Sequence, residues 1–364
     1  MESFQKIQPL FKAVVAPAIL KGNLVKTLPT GESIAKLKKK STARIVMEQK
    51  MSDGSVYCGD GYEIVYNKMT LFVPHGEGSC VMSNGHIYIG VFVNGVLYSI
   101  ALFQTKIFDY VGEFNEGLIH GHGNLNIKND KIIEIECDWF KNQIRIDAPA
   151  IVTYYDGSKY IGYLNHSFDK HGSGIYRTHT GTKITGKWEN DLLNGESTIE
   201  LSDRKITCTW TKGVRSKICF IKYLDDSVYD GECDDKFRPI NQGIMKYADN
   251  SIYKGNWLDG KKHGHGIYKY ADNTIYKGHW FEDKKHGAGI QYFSNGDRYS
   301  GDWYNDMKHN WGFYRFSEGD YYNGFFYEDK RHGYGIYYTK SGDHAIAYFW
   351  ENDNKKIRCS SYYY

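Results

Sequence analysis

A 23-residue repeat constrains the fold of this 364-residue chain more than any other feature of its sequence. Five positions keep this period over four consecutive copies between Ser251 and Tyr338. Self-similarity at a fixed period of roughly 20–50 residues is the signature of a repeat architecture, so the sequence predicts an array of equivalent units. The recurring residues are Tyr253, Tyr276, Tyr299 and Tyr322; Gly255, Gly278, Gly301 and Gly324; Trp257, Trp280, Trp303 and Phe326; His263, His286, His309 and His332; and Gly266, Gly289, Gly312 and Gly335.

Each unit carries the alternating pattern that is typical of β-strands. Tyr253, Gly255 and Trp257 are two residues apart, so an extended strand places all three on one face, while the residues between them face away. The next segment, 258–264, contains Asp, Gly, Lys and His and is predicted to be a turn. A second strand then begins near Gly266, so each unit is predicted to be a β-hairpin.

The predicted fold is all-β: an elongated, twisted solenoid of stacked antiparallel β-hairpins with a period of about 23 residues. An isolated hairpin is only marginally stable in water, whereas hairpins in a row bury one another. The composition agrees, with 32 Tyr and 39 Gly but only 6 Pro, because aromatic residues favour strands and glycines favour turns. The predicted segments are an N-terminal non-repeat segment (1–50), the repeat array (51–355, degenerate in 51–245 and regular in 246–340) and a C-terminal tail (356–364).

Two upstream units have a cysteine at the position of the first repeat glycine. Segments 135–139 and 206–210 both read Ile-x-Cys-x-Trp, with Cys137 and Cys208 in the centre. The chain has 7 cysteines, an odd number, and none stands in a C-x-x-C pair. This pattern predicts free thiols in a reducing compartment and therefore a cytoplasmic location.

The repeat resembles the MORN repeat (membrane occupation and recognition nexus), in which Tyr-x-Gly-x-Trp is followed by a turn and by His-Gly-x-Gly-x-Tyr. The resemblance implies an array of hairpins. Members of this family include junctional membrane tethers, cytoskeletal and ciliary scaffolds, and the N-terminal portions of some lipid kinases and of a lysine methyltransferase. Only the repeats are common to them, so the resemblance predicts the architecture better than it predicts a partner. It is carried best by Tyr253-Gly255-Trp257-His263-Gly264-Gly266, Tyr276-Gly278-Trp280-His286-Gly287-Gly289 and Tyr322-Gly324-His332-Gly333-Gly335.

The sequence contains no recognisable catalytic motif. It lacks a nucleophile elbow, a phosphate loop, a kinase signature, an H-E-x-x-H pair and paired zinc ligands. The glycines of His-Gly-x-Gly recur from unit to unit and are not followed by a helical pattern, so they are assigned to turns and not to a phosphate-binding loop. The sequence therefore predicts no enzyme activity, no catalytic residue and no cofactor.

The recurrent histidines raise the question of a metal site, because histidine is the commonest metal ligand. Adjacent hairpins of such an array lie about 10 Å apart, whereas zinc binds nitrogen at about 2.1 Å. Only the first of these repeats has a second histidine nearby, His265, and no cysteine completes a site. The prediction is a structural role in the turn and no metal site, with metal bridging between two molecules as the alternative.

Pairs of basic residues also recur with the repeat and are expected to form one row along the edge of the array. Such a row could bind anionic phospholipid head groups. Aspartates that recur nearby would offset much of this charge, which is screened beyond about 8 Å at physiological salt, so a solvated polar edge is the other interpretation. The basic residues are Lys261, Lys262, Lys284, Lys285, Lys330 and Arg331, with Lys308 between them, and the aspartates are Asp259, Asp283, Asp306 and Asp329.

Residues 1–50 lack the repeat and combine an apolar stretch with a basic run over 36–44. Such a segment can lie on a membrane surface or dock on a partner. It can equally form the cap that a solenoid needs over its first hairpin. No apolar run of the chain reaches the roughly 18 residues that span a bilayer, and the segment does not fit a signal peptide.

Three functional hypotheses follow from these patterns. The first is a non-catalytic scaffold that binds proteins through its hairpin array and also self-associates through its strand edges. The second is a membrane tether that binds anionic phospholipid, and the third is a regulatory subunit of an enzyme supplied in trans. Nucleic acid is not expected as a partner, because the 46 basic and 43 acidic residues are balanced and the tyrosines and tryptophans are assigned to stacking. The expected location is cytoplasmic, with cytoskeletal or membrane association left open.

Overall fold

The structure is a computed structural model that describes residues 47–51, 53–66, 69–128, 131–341 and 345–362. These residues form 28 β-strands and contain no helix. The strands are β1 (Met47–Lys50), β2 (Val56–Tyr66), β3 (Met69–Val81), β4 (Ile87–Val93), β5 (Val96–Gln104), β6 (Phe108–Asn115), β7 (Leu118–Ile127), β8 (Ile132–Phe140), β9 (Gln143–Ile144), β10 (Ala150–Tyr154), β11 (Lys159–Leu164), β12 (Lys170–Arg177), β13 (Lys183–Glu189), β14 (Leu192–Glu200), β15 (Arg204–Thr211), β16 (Val214–Tyr223), β17 (Val228–Cys233), β18 (Pro239–Lys246), β19 (Ile252–Leu258), β20 (Lys261–Lys269), β21 (Ile275–Phe281), β22 (Lys284–Tyr292), β23 (Arg298–Tyr304), β24 (Met307–Arg315), β25 (Tyr321–Tyr327), β26 (Lys330–Tyr338), β27 (Ala345–Glu351) and β28 (Asn354–Tyr362).

The chain divides into two compact units between Ser197 and Thr198, inside β14. In the first unit, consecutive strands pair antiparallel from β1 to β8 and from β10 to β13. Between these runs, β8 pairs with both the short β9 and β10. In the second unit, each strand from β15 to β28 pairs antiparallel with the next. The prediction of an all-β array of stacked antiparallel hairpins is confirmed.

The turn inside each regular hairpin is shorter than predicted. Leu258 pairs with Lys261, so Asp259 and Gly260 alone connect β19 to β20. Their φ angles are 51° and 81°, as a type I′ turn requires, and this turn has the twist that joins two strands of a hairpin without splaying them. The predicted turn over 258–264 is therefore wrong, because residues 261–264 already belong to the second strand.

A β-bulge follows the turn and accounts for the turn-like composition of this segment. Gly255 pairs with Gly266 and Trp257 pairs with Lys262, so three residues of β20 lie opposite Asn256. Gly264, at the centre of the bulge, has a φ of 57°, a conformation that glycine adopts without steric cost. The glycine of His-Gly-x-Gly thus marks a bulge within a strand.

The two faces of the hairpin differ, and we call the face that carries Tyr253, Gly255 and Trp257 the inner face. The Tyr253 ring lies over the glycine pair and its hydroxyl donates a hydrogen bond to the Asn256 carbonyl at 2.9 Å. A Cβ added to Gly266 would lie 2.3 Å from the Tyr253 hydroxyl oxygen, so any side chain there would collide with the ring. The tyrosine ring therefore explains the glycine at 266, whereas a Cβ at Gly255 would first meet the backbone of the opposite strand, 2.5 Å from the Gly266 Cα.

The same core repeats along the regular hairpins. Tyr253, Tyr276, Tyr299 and Tyr322 are all completely buried. Each ring meets the aromatic ring at the tryptophan position of its own strand edge-on, with centroids 5.0 Å apart for Tyr253 and Trp257. It meets the aromatic ring of the next hairpin in the same way, at 5.4 Å for Tyr253 and Trp280. Edge-to-face contacts at these distances stabilise an aromatic core, so the inner face holds one hairpin against the next.

The strands extend beyond the predicted limits of the array. β1 lies before residue 51 and pairs with β2, and β28 includes residues 356–362, which were assigned to the tail. Most of the predicted N-terminal segment, 1–46, lies outside the described residues. Within the described ranges, no helix has the length and apolar character needed to cross a bilayer.

Candidate functional site

The second basic residue of each recurrent pair points into the inner face. The ammonium of Lys262 lies 4.7 Å from the Trp280 ring centre and 4.8 Å from that of Tyr268. The ammonium of Lys285 lies 4.0 Å from the Trp303 ring centre. These are cation–π distances, at which the ring quadrupole attracts the cation.

The other inward cations repeat this arrangement. Lys285 also donates a hydrogen bond to Gln291 Oε1 at 2.9 Å. Arg331 stacks on Trp350 with its guanidinium carbon 4.1 Å from the ring centre. Lys308 lies 5.1 Å from the ring centre of Tyr314.

Burial changes the acidity of these lysines. Desolvation lowers the pKa of Lys285 to about 8, and it also lowers the pKa of Lys262 and of Lys308. Removing an ammonium from water disfavours its charged form, and the aromatic faces replace that hydration only in part. The inward lysines are therefore part of the core.

The expected single row of basic residues is therefore divided between the two faces. Lys261, Lys284 and Lys330 are exposed on the opposite, outer face, whereas Lys262, Lys285 and Arg331 contact core aromatic rings. The physical reason is strand geometry, because neighbouring residues of a strand point to opposite faces. The first basic residue of each pair is exposed to a surface ligand, whereas Lys285 is buried and Lys262 and Arg331 are half-buried.

The recurrent histidines lie on the outer face and alternate with aromatic rings. They occupy strands and not turns, because the turn ends before them. The rings form one continuous run, with neighbouring centroids 5.2–5.8 Å apart. Among the described residues, no group of three or more His, Cys, Asp or Glu side chains is arranged to hold a metal ion. The run consists of His263, Phe281, His286, Tyr304, His309, Tyr327 and His332.

Five large aromatic side chains are exposed together on the outer face of β23 to β26, and we call them the outer aromatic patch. Their exposed fractions range from 44% to 64%. The Trp311 and Phe325 rings face each other across β24 and β25, edge-on with centroids 5.0 Å apart. The patch consists of Tyr304, Trp311, Phe325, Tyr327 and Tyr334.

Sequence reasoning missed this patch because it assigned the tyrosines and tryptophans to the stacking face. The overlooked signal is the alternation of side chains along a strand, in which neighbouring residues lie on opposite faces. Trp311 is one residue away from Gly312 and therefore faces outward, at the position that His265 holds in the first of these repeats. The argument against nucleic-acid binding from occupied aromatic rings is consequently incorrect for these side chains, although the balanced charge still stands.

A shallow groove of about 830 Å³ runs over the outer face of β18 to β23. Its floor is the row of paired glycines, which present no side chains. Lys254 and Lys277 line one side, and His265 and His279 line the other, with imidazole centroids 3.8 Å apart. Burial, and then the neighbouring His265, lower the pKa of His279. The groove therefore presents lysines and imidazoles beside a glycine floor.

The first unit contains a different polar depression, also of about 830 Å³, lined by residues of β6 to β9. His122 lies between two carboxylates, with Nδ1 3.0 Å from Asp138 Oδ1 and Nε2 3.2 Å from Glu136 Oε1. The hydrogen bond with Asp138 is the main cause that raises the pKa of His122. These side chains are largely exposed, so solvent screens the ion pairs and their contribution to stability is small.

Comparison with known proteins agrees with the hairpin geometry. The family model described as MORN repeat matches residues 110–125, 253–275, 276–298, 299–321 and 322–344. The last four matches follow one another and start at the four buried tyrosines. No curated protein sequence is significantly similar to the chain.

Several solved structures show a distant likeness. The TCP10 domain of Danio rerio CPAP, solved with a peptide of Danio rerio STIL, is 10% identical with a TM-score of 0.37, covering 60% of this chain and 96% of that chain. The TCP domain of SAS-4 (dCPAP) of Drosophila melanogaster, in complex with a proline-rich motif of Ana2 (dSTIL), is 11% identical with a TM-score of 0.23, covering 52% and 85%. A streptogramin B lyase is 10% identical with a TM-score of 0.13, covering 79% and 86%.

At these TM-scores the likeness supports no transfer of structure or function, so the family assignment rests on the repeat itself. Each of the four consecutive matches contains a buried tyrosine over a glycine pair, a two-residue turn and a bulge at or beside the recurrent histidine. The chain therefore contains MORN repeats over residues 110–125 and 253–344.

Proposed function

We propose that this protein is a non-catalytic scaffold that binds partner proteins through the outer aromatic patch of its second unit. The observation that carries the proposal is the exposure of five large aromatic side chains on one face, where Trp311 and Phe325 form a contacting pair. Contiguous exposed apolar surface is unusual outside interaction sites. Tyr, Trp and Phe are also the residues enriched at the centre of protein interfaces.

The chemistry of the patch suits a protein partner. Each of these rings is held by a strand and not by a loop, so its binding costs little ordering entropy. Three of the five residues, Tyr304, Tyr327 and Tyr334, combine an apolar ring with a hydroxyl that can form hydrogen bonds. The neighbouring groove is lined by Lys254 and Lys277, which can pair with acidic residues of the same partner, and by Asp302.

Double substitution of Trp311→Ser and Phe325→Ser tests the proposal. The full chain and the variant are compared by proximity labelling in cells, with quantitative mass spectrometry of the labelled proteins. We expect a defined set of proteins to be lost from the variant, while circular dichroism shows unchanged β-structure. Tyr155→Ser, which removes an exposed aromatic ring of the first unit, is the matched control. An identical set of proteins in all three samples would contradict the proposal.

Binding of anionic phospholipid is the second candidate function, and a specific arrangement favours it. The exposed Lys261 and Lys284 alternate with the half-exposed Phe281 and Tyr304 along the turns. Basic residues beside amphipathic rings are typical of surfaces that lie at a membrane interface. Acidic turn residues oppose this attraction, because Lys261 lies 3.9 Å from Glu282.

Flotation with liposomes that contain or lack anionic lipid tests the second candidate. We expect binding to require anionic lipid, to weaken as salt rises, and to be lost in the triple variant Lys261→Gln, Lys284→Gln and Lys330→Gln. A matched control removes the same charge from outer-face lysines away from the turns, by Lys254→Gln, Lys269→Gln and Lys277→Gln. Binding that survives the first variant or disappears equally in both would exclude the turn lysines as the lipid site.

Cytoplasmic location and association with the cytoskeleton or a membrane belong to the same proposal. The balanced charge and the scattered cysteines support a cytoplasmic site. Stoichiometric purification with one enzyme whose activity depends on this chain would instead support the third hypothesis, a regulatory subunit.

A further inference from the structure

Three cysteines of the second unit occupy positions that form the core of a regular hairpin. Cys208 on β15 pairs with Cys219 on β16, as Gly255 pairs with Gly266. Cys233, at the end of β17, takes the position that tryptophan holds in the regular repeats. All three side chains lie on the inner face and are at most 4% exposed.

The loss of the core tyrosine explains how these cysteines fit. Ile206 stands where Tyr253 stands in a regular repeat, and it is completely buried. In the regular hairpin the tyrosine ring fills the space over the glycine pair, leaving no room for a Cβ at Gly266. With isoleucine in its place, the thiols of Cys208 and Cys219 fill that space.

Arg215 fixes a positive charge beside these thiols. It pairs with Trp210 as Lys262 pairs with Trp257, so it is the inward cation of this hairpin. Its Nη1 lies 3.0 Å from the Cys219 sulfur. A guanidinium at this distance stabilises a thiolate, as in proteins with reactive cysteines.

The position of the guanidinium is fixed by backbone carbonyls. Nη1 donates a hydrogen bond to the Ser216 carbonyl at 2.9 Å, and Nη2 donates to the carbonyls of Asp234 at 2.8 Å and Cys233 at 3.3 Å. Its carbon lies 4.9 Å from the Phe237 ring centre. The carboxylate of the exposed Asp235 lies 3.6 Å away. The Asp235 side chain is fully exposed, so this carboxylate lies on the solvent side of the guanidinium.

Cys219 is the central thiol of the cluster, because it pairs with Cys208 on β15 and lies diagonal to Cys233 on β17. The hydrogen bond from Cys219 is the main cause that lowers the pKa of Cys233. The bond from Cys208 lowers the pKa of Cys219, but the bond to Cys233 and burial outweigh it and raise this pKa to about 11.

We propose that Cys219 and Cys208 form an oxidisable dithiol, which closes to a disulfide between β15 and β16 when it reacts with a peroxide. Opposite residues of antiparallel strands have Cα atoms about 4.5 or about 5.5 Å apart. Both separations lie within the range of roughly 4.4–6.8 Å that disulfides span. Cys233 is diagonal to Cys219, at a separation of about 7–8 Å, which is beyond the usual span of a disulfide.

The reaction balances with hydrogen peroxide as the oxidant. The Cys219 sulfur bonds to one peroxide oxygen as the O–O bond breaks, and the departing hydroxide takes up the Cys219 proton to give water. The Cys208 sulfur then attacks the sulfenic sulfur, the S–O bond breaks, and the second hydroxide leaves with the Cys208 proton as water. Two thiols lose two hydrogens and two electrons, and peroxide is reduced to two waters.

Mass spectrometry of the folded full chain after exposure to hydrogen peroxide tests this proposal. We expect the intact mass, after subtraction of unrelated oxidation, to fall by two hydrogen atoms, and peptide mapping to show a Cys208–Cys219 linkage. Cys208→Ala and Cys219→Ala should each abolish that loss. Cys80→Ala, which removes a buried thiol of the first unit, should leave it unchanged. Circular dichroism of each variant shows whether the fold is retained.

The role of Arg215 gives a second readout that does not depend on removing a cysteine. Arg215→Met should slow disulfide formation by about tenfold, the effect of one unit in the thiol pKa. Arg215→Lys, which keeps the charge, should restore part of the rate. Unreacted thiols in the folded wild-type chain, or stable sulfinic acid at Cys219, would overturn the proposal. A Cys219–Cys233 linkage would overturn the assignment of Cys208 as the partner.

Discussion

The tyrosine and the two glycines of each repeat form one interdependent group. Tyr253 needs Gly266 because its ring occupies the volume of a side chain there, and a side chain at Gly255 would meet both the opposite backbone and the Tyr253 hydroxyl. The hairpin with Ile206 shows the converse, since two cysteines replace the glycines where the ring is absent. The sequence could predict the recurrence of these residues but not their mutual contact, because a ring over its own hairpin and a ring over the next hairpin leave the same periodic pattern.

Substitution of Gly266 by alanine tests this dependence. The added Cβ would lie 2.3 Å from the Tyr253 hydroxyl oxygen, so Gly266→Ala should lower the free energy of unfolding by about 1–3 kcal/mol, as overpacking of a core does. The double variant Tyr253→Ile with Gly266→Ala should lose less than the sum of the two single changes. Urea denaturation of all four proteins measures the coupling, and strict additivity would show that the ring and the glycine are independent.

The buried Lys285 makes stability depend on pH. Its pKa is about 8 in the folded chain and 10.5 in the reference state, so the unfolded chain binds more protons between these values and the free energy of unfolding rises with pH. The shift corresponds to about 3 kcal/mol. Below pH 8 the full cost of burying the ammonium is present, and above about pH 10 ionising tyrosines of the unfolded chain act in the opposite direction.

Comparison with Lys285→Met isolates this effect from that of the tyrosines. The difference in the free energy of unfolding, wild type minus variant, should increase between pH 8 and about 9.5. Chemical denaturation at three pH values in this window measures it. Lys284→Met, on the exposed face of the same strand, is the control and should show no such slope. A constant difference for Lys285→Met would mean that the lysine stays charged in the folded chain over this range.

At the scale of the hairpin, the aspartate at the second turn position links one repeat to the one before it. Asp306 Oδ1 accepts a hydrogen bond from the Lys285 backbone N–H at 2.8 Å, and the Asp306 N–H donates to the Lys285 carbonyl at 3.0 Å. Asp283 and Asp329 repeat both bonds with the preceding inward lysine. The recurrent aspartates at these positions therefore bind the backbone of the neighbouring hairpin.

Variants of Asp306 separate the two requirements of this position, which has a φ of 72°. Asp306→Ala should lower the free energy of unfolding by about 1–3 kcal/mol, because it loses the hydrogen bond and strains the turn. Asp306→Gly should relieve the backbone strain without restoring the hydrogen bond. Asp306→Asn should keep most of the wild-type stability, because asparagine tolerates a positive φ and retains a side-chain oxygen that accepts the bond. Thermal denaturation ranks the variants, and equal stability of the alanine and asparagine forms would contradict a role for the side-chain oxygen.

The sequence predicted the hairpins but not the length of their turns. Alternation from Tyr253 to Trp257 identifies the first strand, because only an extended chain puts these residues on one face. The second strand was placed too late, since Gly264 and the polar residues before it have the composition of a turn. A bulge and a turn both require residues that tolerate positive φ, so composition alone does not distinguish them.

At the scale of the whole molecule, the repeat both revealed the fold and hid the candidate site. The aromatic content of the array is high because every hairpin needs its own core rings, so a few outward rings such as Trp311 and Phe325 do not alter the composition. Their positions along β24 and β25 do distinguish them, because each lies next to a glycine of the inner face and therefore points outward. This distinction requires that the limits of the strands are known. The inward lysines are hidden in the same way, because a buried cation over a ring and an exposed cation occupy adjacent positions in the sequence.

Stability in such an array is expected to be local, because each strand of a regular hairpin pairs only with its two neighbours in sequence. Removal of one core ring should therefore open the strands beside it and leave distant strands closed. Tyr276→Ala removes a completely buried ring that contacts Trp280 and Trp303. We expect faster amide hydrogen exchange in β20 to β23 and unchanged exchange in β6 to β8 of the first unit.

Tyr292→Ala is the matched control for this experiment, because it removes a partly exposed aromatic ring from the outer face of the same region. It should leave the amide exchange of the neighbouring strands almost unchanged, because the Tyr292 ring does not lie over a glycine pair of the core. Faster exchange throughout both units in Tyr276→Ala would contradict local stability, because it would require the whole chain to open in a single cooperative step. A response limited to the strands next to Tyr276 would place the stability of this protein in contacts between consecutive hairpins.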